Sequence, residues 1–152
     1  MGRPSYIENM ETWEKEFEFF DPVKVRFSET DAFGHVNNTI AFVYYEQARI
    51  NYFEELGMMK SWVTGETMIV TGDLQCDYIR QVKFGEKLQV GVKTSHVGRT
   101  SLDMHYMVKN EEGNICMTGR GRIVQINKKT GKPSAWAEEV KEKLESSRLL
   151  AD

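Results

Sequence analysis

Apolar and polar positions change period several times along the chain, and each change marks an element. Val23-Lys24-Val25-Arg26-Phe27 alternates at period two, the pattern of a strand with one buried face. From Asn38 onward, Ile40, Val43, Tyr44, Ala48, Tyr52 and Leu56 trace one helical stripe. Phe42, Tyr45 and Phe53 add aromatics on a second face, so the spacing predicts a helix through Leu56 that is buried on most sides. Asn37 or Asn38 suits its N-cap, and Gly57 stands where a left-handed C-cap residue is wanted. After Gly65 the period returns to two, in Val70, Leu74, Cys76 and Tyr78, in Leu88, Val90 and Val92, and, past Gly98-Arg99, in Leu102, Met104, Tyr106 and Val108. Three half-buried strands follow. Asn110-Glu111-Glu112-Gly113-Asn114 reads as a hairpin loop, and the next strand runs to about Asn127. Its apolar parity shifts from Ile115 and Met117 to Val124 and Ile126 across Gly119-Arg120-Gly121, which predicts a bulge there.

The two ends of the chain differ from this middle. Residues up to Phe20 are charged and aromatic by turns, and Asp21-Pro22 interrupts any helix that might run on. Residues 1–22 therefore read as an extension packed onto a domain spanning 23–133. Lys128-Lys129-Thr130-Gly131-Lys132-Pro133 is a turn, and Ser134 is placed to cap a short helix to about Ser147 within a C-terminal segment, 134–152. The order strand, long apolar helix, four strands, short helix is an α+β arrangement in which one antiparallel sheet receives the helix on its inner face.

Composition narrows what such a domain does. A length of 152 residues, 40% of them hydrophobic, suits one ordinary globular domain. A net charge of −3 with dispersed Lys and Arg gives no footprint for nucleic acid. No apolar run reaches the ~18 to 20 residues that span a bilayer, so no membrane is expected as partner. Cys76 and Cys116 form no Cys-x-x-Cys pair, and the start of the chain lacks the apolar core of a signal peptide; the expectation is a cytoplasmic protein with reduced, packed thiols. There is no Gly-x-Ser-x-Gly elbow, no His-Glu-x-x-His, no Cys/His zinc spacing and no phosphate-binding Gly-x-x-x-x-Gly-Lys loop, so neither a metal nor a cofactor is expected.

The chemistry concentrates in Phe27-Ser28-Glu29-Thr30-Asp31-Ala32-Phe33-Gly34-His35-Val36-Asn37-Asn38, which sets an acid, a histidine and two amides beside a helix N-terminus. Such a place suits attack on a carbonyl, with the carboxylate activating water or attacking directly while backbone N–H groups hold the developing oxyanion. Each residue also has a plainer role. Asp31 is a good turn residue, His35 a loop tie, Asn37 a cap, and Tyr45 a packing or subunit-contact residue. His96 and His105 read as structural, and Arg80, Lys83, Lys87, Arg99, Arg120 and Arg122 as solvated charges.

Thr30-Asp31-Ala32-Phe33-Gly34-His35-Val36-Asn37-Asn38 with Tyr45-Glu46-Gln47-Ala48-Arg49, then Tyr78 to Leu88, then Val97-Gly98-Arg99-Thr100-Ser101, resembles the hot-dog fold thioesterases, in particular the branch of the 4-hydroxybenzoyl-CoA and bacterial acyl-CoA thioesterases. The resemblance covers roughly Val23 to Pro133. It implies a five-stranded antiparallel sheet around one long buried helix, a homodimer or homotetramer in which two sheets become continuous, and active sites at the subunit interface. It implies an acyl-CoA or other acyl thioester as substrate, with Asp31 as nucleophile or general base and the Asn38 backbone N–H polarising the carbonyl. His35 is placed as a further catalytic residue and Asn37 and Tyr45 as substrate contacts, while one or two of the basic residues are candidates for the phosphates of coenzyme A. Asn38 departs from the histidine or tyrosine of some relatives, which leaves the backbone role intact. An acyl carrier protein thioesterase and a non-catalytic acyl-CoA-binding domain are the alternatives.

Overall fold

Period-two segments pair into one antiparallel sheet, and the long apolar segment lies along it. The structure, a computed structural model, describes residues 3–150, the side chains of 148–150 excepted. In chain order the elements are α1 (Met10–Lys15), β1 (Phe19–Lys24), α2 (Ile40–Glu55), α3 (Met59–Thr64), β2 (Thr67–Tyr78), β3 (Lys87–Val97), β4 (Ser101–Asn110), β5 (Ile115–Asn127) and α4 (Glu138–Leu150). The strand order is β1-β3-β4-β5-β2, so the sheet has edges at β1 and β2. The expected five-stranded sheet with one long helix is present.

Helix α2 buries Ala41, Tyr44, Tyr45, Ala48, Arg49, Tyr52 and Phe53 against the sheet. Gly57, in the left-handed region at φ +76°, ends it, and Met58 N–H reaches back to the Phe53 carbonyl. Its other side stays open. Val43, expected in the buried stripe, is 51% exposed, and Glu46 and Gln47 beside it are exposed too.

The bulge expected at Gly119-Arg120-Gly121 lies instead in the neighbouring strand. Met117, Gly119, Gly121, Ile123 and Gln125 form one uninterrupted buried row, and the register slips in β2 between Thr71 and Asp73, leaving Gly72 as the extra residue. Two glycines in the inward row left its parity blank in the sequence. A Cβ on Gly119 would stand 2.5 Å from the Tyr45 ring, so the glycine admits α2 rather than bending the strand. Gln125, polar but buried, accepts from Trp62 Nε1 and donates to the carbonyls of Ser134 and Ala135.

The first strand and the C-terminal helix begin elsewhere than expected. The first strand runs Phe19–Lys24, not Val23 to Phe27, because the alternation extends back through Phe19 and the chain turns away after Val25. Pro22 is tolerated in it because β1 is an edge. At the other end, Ser134 does not cap a helix. Its N–H pairs with the Gln125 carbonyl and Trp136 Nε1 donates to the Ser101 carbonyl, so the chain straps the sheet before α4 starts at Glu138.

The N-terminal segment covers the face of the sheet opposite α2. Ile7, Trp13 and Phe17 form a second core with Met107, and Gly91 leaves room for the rings of Phe17 and Phe20. Glu14 pairs with Lys109 and Glu16 with Lys93. At the centre Trp13 Nε1 donates to His105 Nδ1 at 2.8 Å in a buried bond, which requires a neutral imidazole. Burial, with the nearby Lys93 and Arg120, pulls the His105 pKa from 6.5 down to about 4. The unfolded chain therefore binds an extra proton between these values, so this contribution to stability is complete above pH 6.5 and falls as the pH drops towards 4. Urea unfolding across that window is expected to show a steeper loss of stability for the wild type than for His105→Gln.

Candidate active site

The loop between β1 and α2 is built around a buried carboxylate. Glu29 Oε1 accepts from the Arg26 N–H at 2.8 Å and the Tyr44 hydroxyl at 3.0 Å, and Oε2 accepts from the Arg26 guanidinium at 3.1 Å. Burial alone would raise its pKa, but these donors and the positive charge hold it below the ordinary carboxylate value. Its own carbonyl accepts from the Asn37 N–H at 2.9 Å. Glu29 thus ties the start of the loop to its end and to α2. Sequence reasoning passed over it, because an acid beside Ser28 and Thr30 looks like surface; its spacing of three from Arg26 was the available signal.

Asp31 opens a tight turn. Its Oδ1 accepts from the N–H groups of Phe33 at 2.9 Å and His35 at 3.3 Å, its N–H donates to the His35 carbonyl, and Gly34 sits at φ +82°. The plain role as a turn residue is therefore met by one carboxylate oxygen, and Oδ2 has no partner among the described residues. His35 and Val36 are stapled by backbone bonds to the segment Val82-Lys83. The half-buried His35 imidazole makes no hydrogen bond among the described residues.

The entry to α2 is clamped on both sides of one free group. Asn37 Oδ1 accepts from the Thr39 N–H at 2.9 Å and from the Thr39 hydroxyl at 2.8 Å, and the Asn37 carbonyl accepts from the Ile40 N–H. The asparagine caps this turn rather than the helix itself, which begins one step later with Thr39 at the N-cap position. Tyr78, at the end of β2, donates its hydroxyl to the Asn38 carbonyl at 2.5 Å. Burial and the nearby Cys76 push the Tyr78 pKa up to about 12, so the hydroxyl stays a donor. The Asn38 N–H, between these engaged groups, makes no hydrogen bond among the described residues. An unpaired N–H in a rigid turn at a helix start is what an oxyanion site requires.

These groups share one cavity of about 420 Å³ whose lining includes Asp31, His35, Asn38, Tyr78, Arg80 and Met117. Asp31, His35 and Asn38 are thus brought together as expected, and Arg80 is the cation among them. Asn37 commits its Oδ1 to the turn and is not among the residues that line the cavity. Tyr45 is placed elsewhere: it is fully buried, stacked on Tyr106 at 4.5 Å, with its hydroxyl donated to the Thr118 carbonyl. Arg120 and Arg122 pair with Asp73 and Asp103 on the sheet, away from this cavity. Phe33 lines the cavity although its ring is exposed, and exposed Phe27 packs edge-to-face on exposed Phe84 nearby in the chain's loops.

Known proteins share this fold. The family model described as "Thioesterase-like superfamily" matches residues 25–144. The chain is 47% identical over 149 residues, covering 97% of itself and all of its relative, to the uncharacterized protein YsmA of Bacillus subtilis (strain 168). Among solved structures it is similar to a thioesterase from Thermus thermophilus complexed with coenzyme A and Zn, with 31% identity, a TM-score of 0.75, and coverage of 88% of this chain and 97% of that one. The PA5185 protein of Pseudomonas aeruginosa strain PAO1 superposes with a TM-score of 0.78 at 25% identity, over 87% of this chain and 92% of that one.

Removing the Glu29 carboxylate leaves the buried Tyr44 hydroxyl and the Arg26 N–H without their acceptor. Glu29→Ala is expected to cost about 3 kcal/mol, read as a lower urea midpoint at unchanged m-value.

Proposed function

The chain belongs to the thioesterase-like superfamily, and from that premise we propose that it hydrolyses an acyl thioester of coenzyme A to the free acid and the thiol. The observation that carries this reading is the unpaired N–H of Asn38 in one cavity with the half-free carboxylate of Asp31. A thioester carbonyl is activated enough for one carboxylate and preorganised donors to suffice. As general base, Asp31 takes a proton from water through Oδ2 as the water attacks the carbonyl carbon. The carbonyl oxygen becomes an oxyanion at the Asn38 N–H, and collapse of the adduct expels the thiolate, which recovers the proton. As nucleophile, Asp31 forms a mixed anhydride with loss of the thiolate, and water then cleaves it. In this reading His35, in the same cavity, contacts the thioester, and Arg80 meets a phosphate of coenzyme A.

The same reading includes assembly into a homodimer at β2. The two sheet edges differ. β1 has six residues and carries Pro22 and Lys24, which blunt it, whereas β2 has twelve and neither Pro nor Lys. Beside β2 lies the open side of α2.

Asp31→Asn keeps the turn's acceptor oxygen and removes the base, so kcat is expected to fall by about 10²-fold or more while the thermal midpoint stays near wild type. A folded Asp31→Asn protein releasing thiol from acyl-CoA at the wild-type rate would sink the mechanism. A single turnover in ¹⁸O-water bears on the routes: if water cleaves the anhydride at the Asp31 carboxyl carbon, the acid leaves with unlabelled aspartate oxygen and Asp31 keeps ¹⁸O, an outcome the general-base route does not give. Tyr78 acts as a positioning residue, holding the peptide that follows the oxyanion donor. For Tyr78→Phe the expectation is a kcat loss of about tenfold with KM nearly unchanged, on a folded protein; a change confined to KM would assign Tyr78 to substrate binding instead.

A further inference from the structure

Arg49, on α2, is a buried charge that lacks a counter-charge among the described residues. It is 5% exposed, and its guanidinium has a single hydrogen-bond partner there, the neutral hydroxyl of Tyr106 at 3.0 Å. A guanidinium presents five N–H donors and stays charged, so it cannot relieve this by losing a proton. Arg49 lines a cavity of about 310 Å³ between α2 and the outer edge strand, with Ile69, Val70 and Thr71 of β2 on the far wall and Ile123 of β5 beneath. On the α2 wall, beside Arg49, the carboxylate is Glu46, one turn earlier. It is exposed and forms no ion pair among the described residues.

We infer that Arg49 is completed by Glu46 of a second copy of this chain, so that two reciprocal ion pairs lock α2 to α2 across the β2 edge. The inference rests on the dimer proposed above and adds what makes it specific. A two-fold interface is self-complementary: whatever Arg49 meets on the partner, the partner's copy of that residue meets Arg49 in return. A cation and an acid on the same wall of an open cavity satisfy this condition with a single pair type. The charge is complementary only in the crossed sense, since Arg49 opposite Arg49 or Glu46 opposite Glu46 would repel. Burial of the guanidinium makes the requirement for an acid strict, because a buried charge left unpaired is costly. The pair would therefore select a second copy over a chemically different partner that lacks an acid at this height.

Mixing two charge-reversed chains tests this directly. Glu46→Arg sets two guanidinium groups against each other in both contacts, and Arg49→Glu sets two acids against each other. Each variant alone is expected to be monomeric by analytical ultracentrifugation at concentrations where the wild type is dimeric, with the dimer dissociation constant raised roughly a hundred-fold or more. An equimolar mixture of the two is expected to form a heterodimer, because both contacts regain opposite charges. Variants that stay dimeric, or a mixture that stays monomeric while the wild type dimerises, would overturn the inference. A wild type that is itself monomeric would instead remove the proposed dimer on which the inference stands. Should an acid at position 49 prevent folding, the exposed position carries the test. Dimer affinity is expected to fall in the order wild type, Glu46→Gln, Glu46→Arg, and equal dissociation constants for the three would refute the pairing.

Discussion

Helix α2 approaches the sheet so closely at Gly119 that a single Cβ would stand 2.5 Å from the Tyr45 ring and 2.9 Å from the Gln75 carbonyl of the next strand. The Tyr45 ring stacks flat on Tyr106, and its hydroxyl reaches the Thr118 carbonyl, so the helix is held in depth and rotation by one residue on a glycine floor. The N-terminus of α2 inherits this placement. With the helix at this height, Tyr78 reaches the Asn38 carbonyl and Tyr44 reaches Glu29. A helix raised by one methyl group would loosen both contacts, and with them the turn that leaves the Asn38 N–H unpaired. Packing in the core thus sets the precision of a site on the surface.

The second face of the sheet has its own lock. In a sheet that receives its helix on one face, the other is normally free to be polar, yet Lys93, His105 and Thr118 are buried here. The N-terminal segment buries them, and each polar group has an answer on it: Glu16 for Lys93, Trp13 for His105, Tyr6 for Thr118. Tyr6 also reaches Asp77, next to Tyr78, so the extension braces the end of β2 from behind. The extension is therefore part of the domain's structure, and the sheet that positions the site is supported from both sides.

Several elements were readable in the chain because local periodicity and global burial agree. The extent of α2 and the hairpin at Asn110 to Asn114 satisfy this condition, whereas β3 and β4, expected to be half-buried, are buried on both faces along their middles because the N-terminal segment covers the second face. Disagreements arose where a residue's role is set by what lies across from it. Gly119 looked like a bulge in β5 because a glycine has no side chain to show which face it belongs to; the ring of Tyr45 above it reveals the reason. Val43 looked like core because it is apolar and in phase, but no described element of this chain covers that side of the helix. Tyr45 sat in the motif beside the chemical residues and was expected at the substrate, yet the rotation of α2 turns it to the sheet.

The candidate site divides in the same way. The sequence alone groups Asp31, His35 and Asn38, since an acid, a histidine and a helix start within eight residues are near one another in any fold of the segment. That Asn38 keeps a free N–H while its neighbours are engaged depends on Glu29, Asn37 and Tyr78. Of these, Tyr78 lies forty residues away and carries no mark in composition or spacing, while Glu29 is marked only by its spacing of three from Arg26 and acts through a buried network. Sequence by itself determined the long helix, the strands that follow it and the grouping of Asp31, His35 and Asn38 at the helix start, because these follow from local spacing. Tertiary structure decided which hydrogen-bonding groups are left unpaired, because pairing is settled only when distant strands and helices close upon one another.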